Sequence, residues 1–342
     1  MTMSEVQPPS LPTNSPKVSP TQYMHDRVRW RLSEALPWIV AVGAFWVFPN
    51  YLVLGTQMII MIIFALSLDL ILGYAGIVSL GHAAYFGVGA YTTGILSAHF
   101  GWNEPLSGLL MGGMVAGVFG FASGWLLLRY HGLALIMLTL ATSIMLYEFA
   151  NVAEVWTGGF DGLLGITIDP IFGIFESDLW GKTYYWYSLF VLFLVFLAVR
   201  RIVYSAFGRG LVGIRENTKR MHAIGSPVHQ RLVTIYVIST IIAGFAGALF
   251  AQSTAYVTLD VLSFSRSGTV VIVLILGGVG RLYGAFIGSI IYMIIEDELS
   301  RISPEFWEFG LGLVLVLVVM FFRRGLLGAA EDAMKRIRGA SS

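Results

Sequence analysis

Between Ala35 and Asn103 the chain carries one charged side chain, Asp69, and Arg129 is alone between Pro105 and Tyr147. Soluble domains carry roughly 25% charged residues, whereas this chain has 12% charged and 56% hydrophobic residues over 342 positions. A helix needs about 20 largely apolar residues to cross a bilayer. A soluble core can hide a few such helices, but not nearly every helix in the chain. The fold class implied is all-α, a polytopic transmembrane helical bundle of about ten segments, some of them short or broken by glycine. Thirty-nine glycines fit that reading, because glycine permits close helix packing and interrupted helices in a bilayer. With no cysteine there is no disulfide and no thiolate chemistry.

The expected crossings are 37–54, 57–72, 84–99, 107–128, 132–150, 185–202, 231–251, 267–279, 283–295 and 306–322. The eighth and ninth are short and meet at LGGVGRLYG, residues 276–284. They read either as two crossings or as a re-entrant pair, an arrangement of irregular backbone that transport proteins use in protected cavities. Lysine and arginine in short flanks set orientation. With ten crossings, Arg27, Arg29 and Arg31, then Arg129, the cluster from Arg200 to Arg231, Arg281, and Arg323 with Arg324 all fall on one side. The other side receives Glu104, then Glu154, Asp161, Asp169, Glu176 and Asp178 against one Lys182, then Asp260, Glu296, Asp297, Glu298, Glu305 and Glu308, with Arg266 and Arg301 as minor exceptions. Both termini are therefore expected in the cytoplasm. Residues 1–30 read as a disordered cytoplasmic tail, 31–325 as the transmembrane domain and 326–342 as a second cytoplasmic tail. Residues 1–22 do not look like a cleaved signal peptide, since the apolar run begins only after three arginines. Within the domain, 151–184 is an external loop with aromatic anchors Trp156, Trp180, Tyr184, Tyr185, Trp186 and Tyr187.

The loop 203–230 is the odd one. Its segment GRGLVGIRENTKRMHAIG, residues 208–225, carries Arg209, Arg215, Glu216, Lys219 and Arg220 between two uncharged runs. Leu211, Ile214, Thr218, Met221 and Gly225 recur at helical spacing, which predicts a helix with one mildly apolar face and a basic remainder. Three readings are open: a solvated connector, a helix lying on anionic lipid, or a docking helix for a cytoplasmic protein. No G-x-x-x-x-G-K-[ST] phosphate loop occurs in the chain. A transporter driven by ATP would need its ATPase on a separate subunit.

This segment and five others carry a resemblance. LILGYAGIVSLGHAAYFGVGAY at 70–91, LALIMLTLATSIMLYEF at 133–149, TGGFDGLLGI at 157–166, and FAGALFAQ followed by LILGGVGRLYGAFIGSII at 274–291 occur in the same order in permease subunits of the branched-chain amino acid ABC importer family. The match is nearer to the longer, M-type permease of such systems, and urea or short-amide relatives share the pattern. The resemblance implies an ATP-driven importer for branched-chain or apolar amino acids or related small polar solutes. This chain would be the non-catalytic half of its translocation pore. The implied partners are a homologous H-type permease, two ATPase subunits that hold ATP and Mg, an extracytoplasmic solute-binding protein and membrane lipid, with no nucleic acid. No cofactor is implied in this chain. The location implied is a bacterial or archaeal plasma membrane, the inner membrane in a Gram-negative cell.

The resemblance also assigns roles. Gly208, Arg209, Arg215, Glu216, Lys219, Arg220, Ala223 and Gly225 become the coupling segment, although Thr218, Lys219, Arg220 and Met221 depart from the family's acidic, apolar and small residues. The region 73–91 becomes part of the central pathway, with Tyr74, Ser79, His82 and Tyr85 as the candidate substrate path. The same polar groups also fit a packed structural break, because in a bilayer they must find partners or face a cavity. Gly73, Gly76, Gly81, Gly277, Gly278, Gly280 and Gly284 are candidate breaks or close-packing points, and Gly112, Gly113, Gly117, Gly120 and Gly124 a helix-packing face. His82 has no metal-ligand partner nearby in sequence, so no metal site is expected. Asp69 and Glu148 are intramembrane carboxylates, which stand as functional candidates or as helix-stabilising groups near an interface. An ion-coupled carrier or a passive channel is the alternative reading; no nucleophile elbow or HExxH supports an enzyme.

Overall fold

The computed structural model describes residues 35–170, 181–321 and 325–328. Most of both predicted tails and the loop residues Glu176, Asp178 and Trp180 lie outside them. The chain divides into two compact units between Val42 and Gly43, and the second holds the helical bundle.

The elements are helices: α1 (Leu36–Val47), α2 (Leu52–Asp69), α3 (Ala83–Phe100), α4 (Pro105–Leu127), α5 (Leu133–Val152), the single turn α6 (Glu154–Thr157), α7 (Lys182–Tyr204), α8 (Ala206–Glu216), α9 (Thr218–Ala223), α10 (Val228–Thr254), α11 (Phe264–Gly277), α12 (Gly284–Ile302) and α13 (Trp307–Phe321). Among the described residues the only β pairing is one isolated antiparallel bridge, Leu163 to Val257. Five stretches are long and apolar enough to cross a membrane: Pro49–Tyr74, Pro105–Leu127, Leu133–Val152, Lys182–Tyr204 and Val228–Thr254. This is a multi-pass, all-helical membrane protein.

The first predicted span, 37–54, is wrong in its boundary. The helix ends at Val47, and Pro49–Tyr51 forms a 3-10 turn before α2 begins. Proline removes an N–H and pushes its predecessor out of the helical region, and Phe48 accordingly sits at φ −125°, ψ 60°. The expected eighth and ninth segments appear as α11 and α12. At about 1.5 Å per residue the 14 residues of α11 rise roughly 21 Å, short of the ~30 Å hydrocarbon core.

The core is built on α2, α3 and α10. From Ile62 to Ile71 every residue of α2 and its continuation is buried, so this helix is enclosed on all sides. α10 runs along α4, α3 and α2. Small residues make that approach possible, as the glycine spacing predicts. Cβ atoms added at Gly113, Gly117, Gly120 and Gly124 of α4 would strike Phe245, Ile241, Thr240 and Tyr236 of α10. A Cβ at Gly247 would strike the Phe86 carbonyl of α3. Local chain chemistry fixes the ends: Pro105 opens α4, and Gly101 closes α3 at φ +63°.

Candidate functional site

The charged segment is two helices, not one. α8 is capped by Ser205, whose side chain accepts from the Gly208 N–H at 3.2 Å. At Asn217 the backbone turns extended, φ −156° and ψ 94°, and the Asn217 side chain accepts from the Arg220 N–H at 2.9 Å to start α9. An Asn followed by a new turn is an N-cap signal that the sequence carried and the apolar spacing obscured. The continuous face expected from Leu211 to Gly225 is therefore cut. Leu211 and Ile214 are buried and anchor α8, whereas Gly225 is exposed.

The charges divide in the same way. Arg209, Glu216, Lys219 and Arg220 are exposed, as is Ala223, while Gly208 is packed against the carbonyls of Ile202 and Val203 at the end of α7. Arg215 turns back. Its Nη1 donates to the Gly73 carbonyl, and its stem lies against Gly76, where an added Cβ would come within 2.9 Å of Arg215 Cγ.

Gly73 belongs to a π-turn, Leu70–Tyr74, that continues α2. The turn ends at Gly76, whose φ of +74° is the left-handed region that suits glycine. Asp69, the last residue of α2, is 1% exposed, and its Oδ1 accepts from the Gly280 N–H at 2.7 Å. Gly277, Gly278, Gly280 and Gly284 make the reversal between α11 and α12, with Gly277 pressed on the Gly284 carbonyl. Gly81 is pressed on the Thr139 carbonyl of α5.

The candidate path residues lie between helices. His82 Nε2 shares a hydrogen bond with Ser67 Oγ at 2.8 Å, and its ring stacks on Phe64 at 5.6 Å. Ser239 of α10 in turn donates to the Ser67 carbonyl at 2.5 Å. Tyr85 OH meets Ser123 Oγ at 2.6 Å and Tyr236 OH at 2.9 Å, and Ser79 Oγ accepts from the Gly81 N–H at 3.4 Å. These groups join α2, α3, α4 and α10. Tyr74 is half-buried on the π-turn.

A cavity of about 560 Å³ is walled by other residues, among them Gln57, Met61, Phe86, Phe250, Arg266 and Glu296. Arg266 pairs with Asp260 at 2.9 Å and lies over the Phe86 and Phe250 rings at 5.4 and 5.0 Å. In the sequence Asp260 and Glu296 stood only among the charges of the acidic side, with Arg266 as an exception to it. Glu148 is exposed on α5 and, with Ser143 and Tyr147, lines a second cavity of about 360 Å³.

The pattern of the family described as branched-chain amino acid transport system / permease component matches residues 50–319. The chain belongs to that family. It is 28% identical over 314 residues to the high-affinity branched-chain amino acid transport system permease protein LivM of Escherichia coli K12, covering 84% of this chain and 72% of the relative. A probable branched-chain amino acid transport permease protein LivM of Methanocaldococcus jannaschii is 24% identical over 310 residues, 76% of this chain and 88% of the relative. LivH of Escherichia coli K12 is 22% identical over 283 residues, 78% of this chain and 91% of the relative. The M-type assignment is thus supported, and the role is that of a transmembrane permease component. No solved structure matches the chain.

Proposed function

We propose that this permease forms half of the translocation pathway of an ATP-driven importer for branched-chain or other apolar amino acids. The observation that carries the coupling part is the α8–α9 pair: two buried anchors, Leu211 and Ile214, hold it to the bundle, while Glu216, Lys219 and Arg220 stand exposed beyond them. This is the form of a rigid docking element. A connector needs no anchored apolar side, and a lipid-lying helix needs one continuous apolar face, which Asn217 interrupts.

The pair faces the cytoplasm, as the basic flanks require, and meets ATPase subunits that hold ATP and Mg. A homologous H-type permease covers the open side of α5. In support, only 22% of the most apolar part of that helix is buried within this chain, and a lipid-facing carboxylate such as Glu148 would be costly to desolvate. An extracytoplasmic binding protein delivers the solute on the opposite face, where the 157–166 turn and the 560 Å³ cavity with its acidic rim offer polar groups.

The test is affinity purification of this permease from its native membrane, with Lys219 and Arg220 replaced together by glutamate in a parallel sample. Wild type should bring an ATPase with it, and the charge-reversed variant should lose most of that ATPase while remaining folded. Equal recovery of ATPase by both, or recovery of none, contradicts the docking reading.

A further inference from the structure

Three segments remote in sequence meet at the C-terminal end of α2. Arg215 of α8 donates to the Gly73 carbonyl on the π-turn. Asp69, four residues before Gly73, holds the Gly280 N–H in the α11–α12 reversal. The three pieces touch directly: a Cβ at Gly73 would lie 2.7 Å from Gly280 N, and one at Gly280 would lie 3.4 Å from Arg215 Nη1. Gly325, following α13, closes the other side of the reversal, since a Cβ there would lie 2.5 Å from Gly278 Cα.

The two charged residues suit this end of the helix unequally. The last carbonyls of a helix lack intrahelical partners and carry partial negative charge, so a cation such as Arg215 is favourable there. A carboxylate is unfavourable at the same end, and burial adds desolvation. Asp69 accepts one hydrogen bond, from Gly280, and its Oδ2 has no hydrogen-bond partner among the described residues. A group in so costly a position is there for what it holds. It holds the reversal.

We propose that Asp69 and Arg215 are positioning residues that make the α8–α9 pair, the end of α2 and the α11–α12 reversal one mechanical unit. Arg215 hooks the pair to the π-turn, and Asp69 clamps that turn to the reversal. A shift of α8–α9 then reaches the buried core helix directly, in addition to the covalent route through α7 and α10. The proposal rests on the docking reading of α8–α9 and adds the path by which a movement there enters the bundle.

The experiment uses the reconstituted complex with its ATPase subunits and reads three quantities: ATPase recovered with the permease, ATP hydrolysed, and solute accumulated per ATP. Arg215→Ala, at an exposed position of α8, should keep the ATPase and hydrolyse ATP, while solute per ATP falls at least tenfold. Asp69→Ala should behave alike. Asp69→Asn, which keeps an oxygen for the Gly280 N–H, should return to within about threefold of wild type. If Asp69→Ala does not fold, Arg215→Ala alone decides. A ratio within twofold of wild type in Arg215→Ala overturns the proposal, because the covalent route then suffices. Loss of ATPase from Arg215→Ala also overturns it, by making Arg215 a docking contact. If the wild-type complex holds no ATPase, the docking reading itself fails, and the positioning proposal falls with it.

Discussion

α10 and α5 are nearly equal in apolar character, with mean hydropathies of 2.1 and 1.8 over their most apolar stretches, yet 72% of the first is buried within the chain and 22% of the second. Hydropathy says only that each belongs in a bilayer. What separates them is residue size. α10 carries Gly244 and Gly247, against which α3 and α4 close to backbone contact, whereas α5 has no glycine from Leu133 to Val152. Without water to drive apolar surfaces together, helices in lipid associate where small residues let backbones approach and polar groups join across. α10 is built to be surrounded by its own chain, and α5 offers most of its surface to something else.

The comparison is broken most severely at Gly247. Gly247→Leu would force α10 off the Phe86 carbonyl of α3 and should cost at or above the ~3 kcal/mol upper end of ordinary overpacking. The check is loss of monodisperse protein on size exclusion in detergent. His82→Ala comes next. It removes the ring stacked on Phe64 and one partner of the Ser67 hydroxyl, which still donates to the Phe64 carbonyl at 2.6 Å, and about 1–3 kcal/mol of destabilisation should appear as a lower melting temperature. Tyr236→Phe removes one hydroxyl from the Tyr85 pair and should cost only about 0.6–1.5 kcal/mol, because partners are also found in the unfolded membrane state. Met145→Ala, on the open side of α5, should change stability by less than about 0.5 kcal/mol in the isolated chain. The same substitution should weaken recovery of the second permease in a pull-down. A Met145→Ala effect on the isolated chain as large as that of His82→Ala would show that α5 is held within its own chain after all.

Much of this contrast was legible in the sequence. The four glycines from Gly113 to Gly124 announced a packing face, and Gly277, Gly278 and Gly280 announced a reversal, because both depend on the missing side chain at each position. The Asn217 break was legible as a cap but lost under a periodicity that happens to continue past it. The Asp69–Gly280 bond was not legible at all: it joins residues 211 positions apart, and neither side chain type nor spacing in one segment names a partner in another. The cavity around Arg266 and Glu296 was hidden for the same reason, its walls coming from distant parts of the chain.

The central claim is that an ATPase drives solute through this permease by way of α8–α9. It is tested most directly by uptake of labelled leucine, isoleucine and valine into proteoliposomes holding the complete complex and its binding protein, with and without ATP inside the compartment that α8–α9 faces. The account predicts accumulation only with ATP, and its loss when Lys219 and Arg220 are both replaced by glutamate. Accumulation at the same rate without ATP, or driven by an ion gradient alone, would contradict it and return the chain to the carriers and channels.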